Sequence, residues 1–225
     1  ATSHDYKRAL DGDQGPNTGG MGAHSPALVI PPGTSRHILD SIVQPTIRGM
    51  AEEAREYRGV LYVGLMLTDR GPSVLEFNCR LGDPETQAIL LRLDDNLAEV
   101  ARRAADGRLD VAALSWRREA AVCVVLAAAG YPGLPQKGDA ITGIDAAQAL
   151  PGLTVYHSGT KLQDGELVTA GGRVLSVCAR AGELAAAIDL AYQGVAAISF
   201  EGMHYRTDIG ADTLAVLGGG SGEPG

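Results

Sequence analysis

The chain has 225 residues, 45% hydrophobic and 20% charged, with a formal net charge of −8. That length can bury one large or two small cores, and the balance describes an ordinary globular chain in water. The negative charge argues against a general nucleic-acid or acidic-membrane binder, so phosphate chemistry would need local arginines, backbone amides or a metal. Cys79, Cys123 and Cys178 are odd in number, widely spaced and lack a CxxC pair. They argue against a disulfide framework or zinc site, fit a reducing cytoplasm, and read as small core residues rather than nucleophiles. No apolar run reaches the length of a membrane span, and no signal-peptide pattern opens the chain. Its start at Ala1, without Met, reads as a fragment.

Asp5, Lys7 and Arg8 open the chain as a solvated strand end. The glycines between residues 11 and 26 (Gly12, Gly15, Gly19, Gly20 and Gly22) predict a loop. A helix is expected from about Ser35 to Tyr57, with Ile38, Leu39, Ile42 and Val43 on one stripe and a kink at Pro45. The continuous apolar run Val60 to Leu67 predicts a strand covered on both faces, turning at Asp69-Arg70-Gly71-Pro72 into a hairpin. A helical pattern runs from Pro84 to about Asp106, broken near Asp94-Asp95, where Asn96 can cap a new start.

The polar stretch from Asp106 to Arg118 marks a domain boundary. Beyond it a buried strand is expected over Ala120 to Ala128. Shorter strands follow near Ala140 to Ile144, Leu153 to Ser158 and Arg173 to Ala179, with turns at Asp164-Gly165 and Gly171-Gly172. A helix covers Glu183 to Ile198, an extended piece Gly202 to Ile209, and a glycine-rich, linker-like tail ends the chain.

The segment with the clearest chemistry is Val74-Leu-Glu-Phe-Asn-Cys-Arg80. Strand alternation puts Leu75, Phe77 and Cys79 on one face and Glu76, Asn78 and Arg80 on the other. A carboxylate beside a carboxamide offers two hard oxygen ligands, which suits Mg²⁺ completed by water and phosphate oxygens. Arg80 offers a planar fork for a carboxylate or phosphate. The alternative is a half-buried strand with one wet face. Gly82-Asp83-Pro84-Glu85 reads as a helix start, with Asp83 or Glu85 also able to orient Arg80 or the metal ligands. The glycine segment could gather backbone N–H groups around an anion or be an ordinary loop. It matches neither the G-x-x-x-x-G-K-[ST] nor the G-x-G-x-x-G pattern. None of His24, His37, His157 and His204 has ligand-like spacing.

Several motifs in order carry a resemblance: His4-Asp-Tyr-Lys-Arg8, Asp11-Gly-Asp13, Gly15-Pro-Asn-Thr-Gly-Gly-Met-Gly22 and Glu76-Phe-Asn-Cys-Arg-Leu-Gly-Asp-Pro-Glu-Thr-Gln87. Ala129-Gly-Tyr-Pro-Gly133, His157-Ser-Gly-Thr-Lys161, Gly171-Gly-Arg-Val-Leu175 and Tyr205-Arg-Thr-Asp-Ile-Gly210 continue it. Together they resemble the phosphoribosylamine–glycine ligases, also called glycinamide ribonucleotide synthetases, which are ATP-grasp ligases of purine biosynthesis.

The resemblance implies an α+β fold: the second half of an ATP-grasp domain at 1–108, a smaller mixed α/β carboxy-terminal domain at 109–215, and a flexible tail at 216–225. It implies ligation of glycine to 5-phosphoribosylamine with ATP and Mg²⁺ or Mn²⁺, through a glycyl phosphate, in the cytoplasm. Glu76 and Asn78 fall on the family's metal positions. Arg80 is the expected catalytic clamp, and Asp13, Asn17, Thr18, Gly19, Gly20 and Asp83 the expected substrate side. His24 stands where the family usually has Tyr. The family's amino-terminal portion, with the first half of the grasp, has no counterpart here. The chain is therefore expected to be inactive alone, or to be a binding module or half-enzyme that needs that partner.

Overall fold

A computed structural model describes residues 1–28, 30–31, 33–109 and 114–219. In chain order its elements are β1 (His4–Asp5), β2 (Arg8–Leu10), β3 (Gln14–Asn17), β4 (Gly22–Ser25), α1 (Thr34–Ile38), a π-helical turn (Leu39–Val43) and α2 (Gln44–Glu52). Then come β5 (Tyr62–Thr68), β6 (Gly71–Asn78), α3 (Glu85–Arg92), α4 (Leu97–Ala105), β7 (Ala120–Ala127), α5 (Ile144–Gln148) and β8 (Leu153–His157). The chain continues through β9 (Thr160–Gln163), β10 (Glu166–Thr169), β11 (Arg173–Ala181), α6 (Leu184–Ala197) and α7 (Ala211–Gly219). They form two compact units. One comprises Ala1–Leu28, Asp83–Arg92 and the described residues from Arg117 onward. The other comprises Val29–Gly82 and Leu93–Trp116.

The first unit is built on an antiparallel sheet ordered β1-β4-β7-β11-β8. All eight residues of β7 are buried, as its unbroken apolar run predicts for a central strand covered on both faces. Alternation divides them. Val122, Val124 and Leu126 join a core with Leu184, Ala187, Ala191 and Val195 of α6. Ala121, Cys123 and Val125 pack with Cys178 of β11 and Ala88 of α3. Two glycines permit the close approaches. A Cβ on Gly194 would meet Leu153 Cδ1 at 2.2 Å, and one on Gly143 would meet the Ala197 carbonyl at 1.8 Å.

Four expectations of secondary structure change in this unit. Residues 11–26 are not one loop, because β3 pairs with β2, and β4 is a fully buried strand between β1 and β7. Gly22 is what lets β4 enter, since a Cβ there would lie 2.8 Å from the Cys123 carbonyl and 2.7 Å from Ile209 Cδ1. The strand expected at 140–144 is reduced to single bridges at Ala140 and Thr142, followed by α5, and the piece at 202–209 keeps one bridge, His204 to Ala127. The expected tail begins as helix, with α7 running to Gly219; residues 220–225 lie outside those described.

In the second unit, α1, the π turn and α2 make the expected helix, ending at Glu52. The π turn ends at Val43, two residues before Pro45, which has no N–H to donate. Asn96 caps α4 as read, its side chain accepting from Ala98 N (3.0 Å) and Glu99 N (3.2 Å). Residues 110–113 of the expected boundary are outside those described, and Trp116 bridges back to Leu93. The β5–β6 hairpin also forms as read. Its expected double cover does not: β5 is half-buried to exposed along its length. On β6, Leu75 is 63% and Phe77 44% exposed. Cys79 is exposed, whereas Cys123 and Cys178 are buried core residues. Among the described residues no helix is long and apolar enough to cross a membrane.

Candidate functional site

The glycine segment is held by parts of the chain nearly two hundred residues away. Asp11–Asp13 forms a tight 3-10 turn in which Gly12 (φ 63°) and Asp13 (φ 54°) are left-handed. The loop before α7 grips it. Thr207 N donates to Asp11 Oδ1 (2.8 Å) and the Thr207 hydroxyl donates to the same carboxylate. Gly12 N donates to Asp208 Oδ2 (2.8 Å). Between them lies Arg206, only 1% exposed. Its Nε and Nη2 donate to the two oxygens of Asp208 (2.7 Å each), and Nη1 donates to Asp13 Oδ1 (2.7 Å). The guanidinium lies 5.0 Å from the centre of the Tyr6 ring, whose hydroxyl donates to Asp212 and accepts from Gly210 N (2.9 Å).

Burial opposes the charge on Arg206, but the hydrogen bonds to Asp208 and Asp13 prevail and raise its pKa. Burial likewise works against Asp208, yet Arg206 and the Gly12 amide hold its carboxyl below the usual range. A cavity of about 270 Å³ opens here, lined by Tyr6, Gly12, Asp13, Arg206, Asp208 and Asp212. Asp13 keeps its side chain 72% exposed, so one carboxylate is anchored yet available at the rim.

Asn17 ends β3 opposite Arg8, with its side chain exposed. Beyond it the backbone donors are used within the chain. Thr18 N donates to Lys7 O (2.8 Å), Gly19 N to the Tyr131 hydroxyl (2.9 Å), Gly20 N to Thr18 Oγ1 (2.9 Å) and Met21 N to Tyr6 O (2.8 Å). The anion nest that consecutive glycines would permit is therefore not what these amides build. The glycines serve space and backbone freedom instead. Gly20 has φ 115°, and a Cβ there would fall 2.4 Å from Pro84 Cδ and 2.8 Å from Asp5 Oδ1. Asp83 accepts from Gln87 Nε2 at Oδ1 (3.0 Å), and its carbonyl accepts from Arg173 Nη1 (2.7 Å).

Asp5 is no solvated strand end. Its side chain is 10% exposed, with Lys7 Nζ 2.5 Å from Oδ2. Burial first and the nearby Glu85 second push its pKa up to about 6, against the pull of Lys7. His24 is also buried. Nδ1 lies 2.9 Å from Pro26 O and Nε2 3.0 Å from Thr213 Oγ1, and burial lowers its pKa to about 4.

In the other unit Glu76 and Asn78 stand on one face of β6, opposite Gly64 and Tyr62 of β5. The register slips between Gly64 and Leu65, which leaves Leu75 without a cross-strand partner. Gly64 leaves room for the carboxylate arm, since a Cβ there would be 3.0 Å from Glu76 Cγ. Regular strand ends at Asn78, so Arg80 sits in a bend and does not inherit the face of its neighbours. Its Nη1 donates to Leu81 O (3.0 Å). Among the described residues no three His, Cys, Asp or Glu side chains gather to hold a metal ion. A carboxylate and a carboxamide alone suit an ion that keeps most of its shell as water and phosphate oxygen, which is the habit of Mg²⁺.

The class is given by comparison. Residues 1–86 match the family model for the phosphoribosylglycinamide synthetase ATP-grasp (A) domain, and residues 121–212 match the one for that enzyme's C domain. The fold is thus α+β, part of an ATP-grasp domain followed by a smaller mixed domain. A solved N5-carboxyaminoimidazole ribonucleotide synthetase from Thermotoga maritima shares that fold, with TM-score 0.55 and 20% identity over 80% of this chain and 45% of that one. More specifically, the chain belongs to the phosphoribosylglycinamide synthetase family. It is 52% identical to the phosphoribosylamine–glycine ligase of Ralstonia nicotianae over 93% of this chain and 50% of the relative. The solved phosphoribosylamine–glycine ligase of Thermotoga maritima superposes with TM-score 0.81 and 39% identity, over 92% of this chain and 50% of that one. The chain spans about half the length of the curated relatives it matches.

Tyr131, Arg173 and Arg206 stand inside motifs shared with the family, but the sequence assigns their side chains no role. The signal available was an arginine or tyrosine embedded in glycine-rich motifs; its target was not legible.

Proposed function

We propose that this chain carries the metal-binding and substrate-facing part of an enzyme that joins glycine to 5-phosphoribosylamine, giving glycinamide ribonucleotide, ADP and phosphate in de novo purine synthesis in the cytoplasm. A glycine carboxylate oxygen attacks the γ-phosphorus of ATP and ADP leaves. The amine nitrogen of phosphoribosylamine then attacks the carbonyl carbon of the glycyl phosphate and inorganic phosphate leaves. Glu76 and Asn78 would hold Mg²⁺ or Mn²⁺, which supplies charge neutralisation to the ATP phosphates when bound. Arg80 clamps the carboxylate and then the acyl phosphate. Asp13, Asn17, Thr18, Gly19, Gly20 and Asp83 form the substrate side, with Asp13 presenting the rim carboxylate. In this reading residues 1–108 belong to the ATP-grasp domain and 109–215 to the carboxy-terminal domain. No nucleic acid or membrane takes part.

The observation that carries this is the paired match to the A and C domains, with Glu76 and Asn78 on one face of β6 opposite Gly64 and Tyr62. A second reading, a half-enzyme or binding module that needs an amino-terminal partner, draws support from the apolar side chains left exposed on β5 and β6, such as Met66, Leu75 and Phe77. The test is product formation from ATP, glycine and phosphoribosylamine with Mg²⁺. It is run with the chain alone and then mixed with the remaining half of the Ralstonia relative. Product only in the mixture, abolished by Glu76→Ala, is expected. No product in either leaves the binding module.

A further inference from the structure

The backbone of Gly19 is gripped on both sides from the C-domain segment. Its N–H donates to the Tyr131 hydroxyl (2.9 Å), and its carbonyl accepts from Arg173 Nη1 (2.9 Å). The same nitrogen donates to the Asp83 carbonyl (2.7 Å) and lies 3.4 Å from Asp83 Oδ1, so one guanidinium ties the glycine segment to the start of α3. It lies against Gly19 itself, since a Cβ there would meet Arg173 Cζ at 3.0 Å. Both struts have rigid footings. Arg173 is the first residue of β11, paired with Ala127 of β7. The Tyr131 ring rests on Gly172, where a Cβ would fall 2.3 Å from Tyr131 Cδ2. Its backbone is fixed by Tyr131 N to Ala128 O (3.2 Å), and Ala128 N donates to Gly172 O (2.8 Å).

We propose that Tyr131 and Arg173 are positioning residues that set the Thr18–Gly20 wall for the amino-acid substrate, acting through Gly19 without touching substrate. This rests on the ligase reading above. Thr18 Oγ1 holds Gly20 N, but Gly19 has no side chain to fix its own place, so its geometry must be imposed from outside. The C-domain segment imposes it with a neutral acceptor on one side and a fixed cation on the other.

The test is Tyr131→Phe, which deletes one oxygen and leaves the ring on Gly172. It is assayed in the complemented enzyme, and Gly19 amide exchange is measured in the chain alone. The expected result is a KM for glycine raised about fivefold, the worth of one ordinary hydrogen bond, with kcat within about twofold and the KM for ATP unmoved. Gly19 should exchange at least about tenfold faster while Val122 to Leu126 keep their protection. Arg173→Met should show a larger rise in the same KM, and Arg173→Lys should recover part of it. An unchanged KM for glycine overturns the proposal. So does a common fall of kcat with protection lost across β7 and β11, which would mark a merely structural role. No product from the unaltered enzyme would instead overturn the ligase reading, and Gly19 exchange would then decide the tie by itself.

Discussion

The two units bury their strands very differently. In the sheet unit, β7 buries every residue, and α6 and α3 divide its two faces between them. In the hairpin unit, β5 is hydrophobic at five of seven positions and β6 at three of eight, yet among its described residues only Gly82 is buried. Hydrophobic residues make a stable strand only where other elements remove them from water. Full burial of a Val or Leu side chain contributes roughly 1.5–3 kcal/mol, and half exposure forfeits much of that. The sheet unit therefore carries its own stability. The hairpin unit holds its shape by backbone pairing, turn chemistry and the Asn96 cap.

The sharpest way to break this contrast is Gly143→Ala. Gly143 is left-handed (φ 84°), with its Cβ position 1.8 Å from the Ala197 carbonyl, so both strain and collision are expected. The loss should be at least about 3 kcal/mol in urea unfolding. A loss under about 1 kcal/mol would show that the end of α6 yields easily and that the sheet unit is less tightly determined than described.

Arg206→Met should come next, at about 2–3 kcal/mol. It strands Asp208 and Asp13, and the cost stays at the lower end because Asp13 reaches solvent. The same variant should speed exchange of the Gly12 amide.

A pH profile separates two opposed groups in the sheet unit. Asp5 has a folded pKa of about 6 against an ordinary 3.8, so the folded state binds its proton more tightly. Stability from this group therefore rises as pH falls from about 6 to 3.8. His24 has a folded pKa of about 4 against 6.5, so its contribution is present above pH 6.5 and is lost as pH falls toward 4. Each is worth roughly 3 kcal/mol and they oppose, so the intact chain should be nearly flat between pH 4 and 6. Asp5→Asn should uncover a steady loss over that window. A flat profile in the variant would contradict the buried, neutral His24.

The smallest effect is expected in the other unit. Leu75→Ser, at a 63% exposed position with no cross-strand partner, should change stability by no more than about 0.5 kcal/mol. A loss above about 1.5 kcal/mol would mean that this face is covered in solution.

Much of this was legible locally. The β7 run, the Asp69–Gly71 turn between β5 and β6, and Asn96 at the head of α4 each declare themselves within a few residues, because strand period, turn geometry and capping are short-range physics. Glu76 beside Asn78 was legible for the same reason. β4 was not, since Gly22-Ala-His-Ser has poor strand propensity and becomes a strand only because the space beside Cys123 and Ile209 admits nothing larger.

The sequence by itself determined the family, through ordered motifs, and the chemistry available at each position. Tertiary structure alone decided what those groups do to each other. It placed Arg206 on Asp13, put Tyr131 and Arg173 on the N–H and carbonyl of one glycine, and buried Asp5. Each of those contacts joins residues 112 to 193 positions apart or depends on solvent exclusion. Such contacts form only after loop closure has been compensated by burial elsewhere, and no local pattern records them.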